Sequence, residues 1–165
     1  RMKGIEGRKA IVLISSGIDT FSRQTFSQAR RIIQDGDVTI YSIGLMQALR
    51  IYYDSRTGPL QRMDFLQADN QLKTFSRETG GMSFFPRFYG EFPTIFQNIR
   101  ISMRQQYSMT YQPTNTKRDG EWRKIEVRLI DPRNNQPLRV TNQKGKSLKY
   151  RIMAKRGYTA PREVE

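Results

Sequence analysis

Two apolar runs, KAIVLIS at Lys9–Ser15 and VTIYSIG at Val38–Gly44, bracket a stretch of helical periodicity, and this pairing most restricts what the chain can become. A continuous apolar run bounded by polar residues fits a strand covered on both faces, as in a parallel sheet. Between the runs Phe26, Ala29, Ile32 and Ile33 share one helical face, with Arg23, Arg30 and Arg31 elsewhere. Ser22 is placed to cap this helix, expected over residues 22–34, and Asp35, Gly36 and Asp37 end it. Strand, helix, strand is a βαβ unit. The two strands are therefore expected to be parallel neighbours, with the helix packed across them by a right-handed crossover.

Residues 45–61 lack clean periodicity, contain Tyr52 and Tyr53, and read as a long loop. Helical spacing returns over 61–79, where Ala68, Leu72, Phe75 and Thr79 fall in line, and Gly80 and Gly81 stop it. Residues 82–85 form a short third strand. Pro93 suits a first helical turn, and Phe92, Ile95, Phe96, Ile99 and Met103 continue with helical spacing. After Gln106 the period becomes two: Tyr107, Met109, Tyr111, then Ile125, Val127, Leu129, then Leu148, Tyr150, Ile152, each alternating with polar or charged residues. Such alternation gives an antiparallel strand one buried and one wet face. The expected fold class is α/β: a Rossmann-like parallel sheet with flanking helices over residues 1–106, an antiparallel β extension over 107–161, and a tail over 162–165.

The inventory excludes much chemistry. A chain of 165 residues suffices for one domain with a real core, but it holds no Cys and no His. Disulfides, thiol chemistry, Ser-His-Asp catalysis and zinc hydrolysis are thereby removed. The net charge of +14 favours anionic partners, and the last third of the chain carries more than half of that excess. The apolar run at residues 10–14 is too short to cross a bilayer, so no transmembrane segment is expected. The opening RMKG lacks the apolar core of a signal peptide, and a first Arg points to a piece of a longer chain.

Several stretches, in order, resemble the later half of a von Willebrand factor type A (VWA) domain, closest to the bacterial VWFA-related group of predicted exported proteins. They are GRKAIVLIS at 7–15, residues 37–44, LKTFSRETGG at 72–81, RQQY at 104–107, YQP at 111–113, GEWRKI at 120–125 and RGYTAP at 156–161. The resemblance implies a non-catalytic adhesion-type module in a periplasmic, secreted or cell-surface protein. It also implies a metal site that is degenerate here. The first-strand DxSxS motif is absent, and Ser16 stands where the family often has Asp. The implied ligands are Ser16 and Asp19, with no cofactor expected unless a missing half supplies more oxygens for Mg²⁺ or Ca²⁺. In that family the first strand lies beside the one matched by Lys9–Ser15, so this chain alone is expected to leave that edge open.

Other candidates come from the residues themselves. The loops after the strands place Ser16, Tyr52, Tyr53, Arg87, Phe88 and Tyr89 on one rim, a contact composition if the aromatics stay exposed. Lys124, Arg128, Lys149, Arg151 and Lys155 fall on one face of the extension, a basic plate for an acidic protein or anionic membrane headgroups. The opposite stripe, Ile125, Val127, Leu129, Leu148, Tyr150 and Ile152, should be buried, as should Tyr107 and Tyr111. Gly145, Lys146 and Ser147 have P-loop order, but Val140 stands where that motif needs Gly. The leading expectation is a protein-binding module with no enzymatic role. A basic nucleic-acid binder, which lacks any recognisable RNA motif, and an obligate structural subunit are the alternatives.

Overall fold

β1 (Lys9–Ser15) and β2 (Val38–Gly44) lie side by side and parallel, with Lys9 opposite Val38 and Ser15 opposite Gly44. The computed structural model describes residues 6–18, 22–48 and 59–163, with only the backbone of 59–61. β3 (Ser83–Phe84) pairs parallel with the other side of β2, giving the order β1-β2-β3. The central strand is buried from Ile40 to Gly44, as its apolar composition requires.

Helices cover both faces of β2. α1 spans Phe26–Asp35, α2 Pro59–Thr79 and α3 Phe92–Arg104. Tyr41 and Ile43 point toward α3 and pack with Ile95 and Ile99. The Tyr41 hydroxyl shares a 3.1 Å hydrogen bond with Ser102 and accepts one of 3.0 Å from Gln106. The alternate residues meet α2: Ser76 Oγ donates to Ser42 Oγ at 2.9 Å, and the Ile40 amide donates to Thr79 Oγ1 at 2.9 Å. Each buried Tyr or Ile side chain contributes about 1.5–3 kcal/mol, so this three-layer stack is the main core. The Gly80–Gly81 stop is enforced by space: Gly80 takes φ +78°, and a Cβ on Gly81 would sit 2.0 Å from the Ile40 carbonyl oxygen.

α1 departs from expectation at its start and in its packing. It begins at Phe26 with Thr25 as the cap: Gln28 N donates to Thr25 Oγ1 at 3.2 Å, and Thr25 N to Gln28 Oε1 at 2.8 Å. This reciprocal box satisfies two orphan amides and outcompetes Ser22, whose hydroxyl bonds to the backbone of Gln24 instead. The helix lies against α2, with Phe26 and Phe75 ring centroids 5.3 Å apart, and against the C-terminal strand β7 (Gly157–Thr159), instead of spanning β1 and β2. Of the stretch expected to be a loop over 45–61, Leu45 is irregular, whereas residues 46–48 and 59–61 are helical.

The extension forms small antiparallel sheets. β4 (Trp122–Lys124) pairs with β7, and β5 (Val140–Thr141) with β6 (Ser147–Leu148). The long strands expected over 121–130 and 147–155 survive only as these short pieces. Tyr107, Met109 and Tyr111 belong to no strand and are exposed, as are Leu129, Leu148 and Tyr150. An alternating pattern gives a buried face only where a strand forms and is paired, and these residues lie outside the paired segments or at their ends. Gly145, Lys146 and Ser147 form and follow a hairpin turn, with Asn142 Oδ1 accepting from Lys144 N and Lys146 N and Gly145 at φ +73°.

The last strand fastens the extension to the helices. Arg156 N donates to Glu78 O at 3.2 Å, and Thr159 Oγ1 to the Asp35 carboxylate. Lys155 Nζ donates to Gly36 O at 2.8 Å, placing a cation at the negative end of α1.

Candidate functional site

Three surfaces carry chemistry: an open sheet edge, a loop rim and a cleft. The edge is β1, which among the described residues is the outermost strand of its sheet. Val12 and Ile14 are register partners of Tyr41 and Ile43 on the same face. Yet Val12 and Ile14 are 42% and 49% exposed, whereas Tyr41 and Ile43 are fully buried. Ile11, on the other face beside buried Ile40, is exposed as well. Among the described residues, a strand with the composition of a buried one is thus bare along one edge and on parts of both faces.

The rim follows from the parallel sheet, since β1 and β3 flank β2 and end at the same side. Ser15 Oγ accepts from Gly17 N at 3.0 Å and Ser16 Oγ from Ile18 N at 3.4 Å. Gly17, at φ +75°, fits because a Cβ would meet the Ala68 carbonyl oxygen of α2 at 2.9 Å. Ser16 is therefore part of a turn held against α2. Asp19, Tyr52 and Tyr53 lie outside the described residues. Across the rim Arg87 N and Phe88 N donate to Glu91 Oε1 at 2.9 and 3.2 Å, fixing the loop. Phe88 is exposed, Tyr89 is 86% exposed, and Tyr89 stacks on Phe92 at 6.2 Å. Among the described residues, no group of three or more His, Cys, Asp or Glu is placed to hold a metal ion.

The basic plate does not form as a plate. Lys149 and Arg151 are exposed on a segment outside the sheets. Arg128 donates to Glu126 at 2.7 Å, raising the guanidinium's pKa and holding the Glu126 carboxyl below its usual range. Lys124 and Lys155 instead line one cleft of about 500 Å³ between the ends of α1 and α2 and the extension. The cause is topological: β4 and the segment leading into β7 bring both lysines to the C-terminal end of α2, whereas the intervening hairpin carries Lys149 away.

Sequence reasoning missed the acid at the base of that cleft. Glu78 is buried, and its carboxylate accepts from Arg30 Nε at 2.8 and 3.0 Å and from Gln34 Nε2 at 3.0 Å. The hydrogen bond to Glu78 raises the Arg30 pKa above its ordinary value. The i, i+4 spacing of Arg30 and Gln34 on α1 was a readable sign of a shared partner, but it could not name Glu78 on α2. At the far end of β4, Arg123 hydrogen-bonds to Asp119 at 2.5 Å, and with the Glu121 amide it holds that carboxyl below its usual range.

No family model and no curated protein matches the chain. Among solved structures the chain is similar to an uncharacterized membrane spanning protein from Vibrio fischeri, at 19% identity and a TM-score of 0.42, over 58% of this chain and 47% of that one. The chain thus spans less than half the length of that structure. No helix among the described residues is long and apolar enough to cross a membrane.

Proposed function

We propose that this chain is a non-catalytic protein-interaction module, a VWA-type half-domain that completes its sheet with a strand from a partner. The open β1 edge carries the reading: among the described residues its backbone faces no strand on one side, and Ile11, Val12 and Ile14 stay exposed. Natural sheets cover or charge such edges, and along this strand Ala10 to Ser15 carry no charge. Strand addition would give affinity through main-chain hydrogen bonds and specificity through the alternate side chains. The VWA assignment is supported by the βαβ start, the parallel sheet with helices on both faces and the sterically required Gly80–Gly81 stop. Placement in a cell envelope, with a degenerate metal site at Ser16 and Asp19, rests on the sequence likeness alone.

Sedimentation equilibrium tests the edge. Lacking another partner, the chain should self-associate with rising concentration. Val12→Asp with Ile14→Asp should hold it monomeric at an unchanged melting temperature, because neither side chain is in the buried core. A wild-type chain that stays monomeric at every concentration, or a variant that associates equally well, overturns the reading.

A further inference from the structure

We propose that the cleft between α2 and the extension is a binding site for a small organic anion carrying a phosphate-type group on an apolar body. Five cations, from Arg30, Arg77, Lys124, Lys155 and Arg156, line it against two carboxylates. Both carboxylates are already engaged, Glu78 by Arg30 and Gln34 and Glu126 by Arg128. Lys155 is held by the Gly36 carbonyl. Arg77, Lys124 and Arg156 are left with no salt bridge among the described residues, so three cations from three separate segments converge on one concavity. Arginine forks grip phosphate oxygens bidentately and lysine adds a point charge. Ile125, Val127 and Ile152 are half-buried beside them and Trp122 borders the same space, which gives the ligand's body an apolar wall. A volume of about 500 Å³ is the size that small ligands occupy. The site is independent of the β1 edge, and either proposal can fail without the other.

Trp122 is the only tryptophan in the chain, so its fluorescence reports on this cleft alone. Titration of the whole chain with phenyl phosphate should change that emission saturably. Inorganic phosphate, which lacks the apolar body, should bind about tenfold more weakly. Arg77→Gln with Lys124→Gln should weaken phenyl phosphate at least about tenfold, the scale of one charge-assisted contact. The melting temperature should hold, since both side chains are exposed. Glu126→Gln should shift affinity the opposite way by removing an acid and releasing Arg128. No saturable change with phenyl phosphate overturns the proposal. So does a response unaltered in the double variant, or one that Glu126→Gln weakens.

Discussion

Glu78 shows how one buried residue organises two distant parts of the chain. Its side chain is anchored by α1 through Arg30 and Gln34, while its carbonyl receives the Arg156 amide from the extension. A carboxylate so buried is tolerable only while its charge is met by donors, and among the described residues Arg30 supplies the opposing charge bonded to it. Arg30→Ala should therefore destabilise the chain by about 1–3 kcal/mol, the cost of stranding a charged acceptor. Because half of the Arg30 side chain stays in solvent, the lower part of that range is the better expectation. Glu78→Gln should offset part of the loss in the double variant, since a neutral amide needs no counter-charge. Urea unfolding of the four proteins measures this coupling. Additive losses would mean that the pair does not interact.

At the scale of elements, what was legible was what local periodicity alone determines. β1, β2, α2 and α3 were readable because their apolar residues recur at strand or helix spacing and tertiary packing agrees. The start of α1 was misplaced because Ser22 is a good cap by type, whereas Thr25 has Gln28 three residues on. Thr25→Ala should cost about 1 kcal/mol and Ser22→Ala far less, as thermal melts of the two variants would show. Equal effects would locate the cap elsewhere. The extension was misread for the converse reason. Leu148, Tyr150 and Ile152 alternate as a strand would, but Tyr150 and Ile152 follow a hairpin strand that ends at Leu148. Alternation says which side chains share a face only if a strand forms, and strand formation depends on neighbours that the sequence does not name. The candidate sites divide along the same line. The Phe88–Tyr89 rim follows directly from strand order, whereas the Lys124–Lys155 cleft depends on how β7 docks.

At the scale of the whole molecule, specific contacts join the two parts that the sequence divides at residue 106. Lys155, Arg156 and Thr159 tie the extension to the C-terminal ends of α1 and α2, and Gly80 allows the chain at Ala154 and Lys155 to approach α2 closely. A Cβ on Gly80 would lie 2.9 Å from the Ala154 carbonyl carbon, so this junction has the tightness of a protein interior. Glu78 and Thr79 are buried at that junction, and Thr79 also bridges to Lys155. Removing residues 107–165 would open it, exposing the Glu78–Arg30 pair to water and freeing the end of α1 from its lysine. The α/β part retains its core of Tyr41, Ile43, Ile95 and Ile99, so it should still fold, but less stably by at least about 2 kcal/mol, equivalent to two lost hydrogen bonds. The full chain should unfold in a single calorimetric transition, and the truncated chain at a distinctly lower temperature. Two resolved transitions in the full chain, with residues 1–106 melting alike in both, would mean that the extension is an independent domain resting on the first.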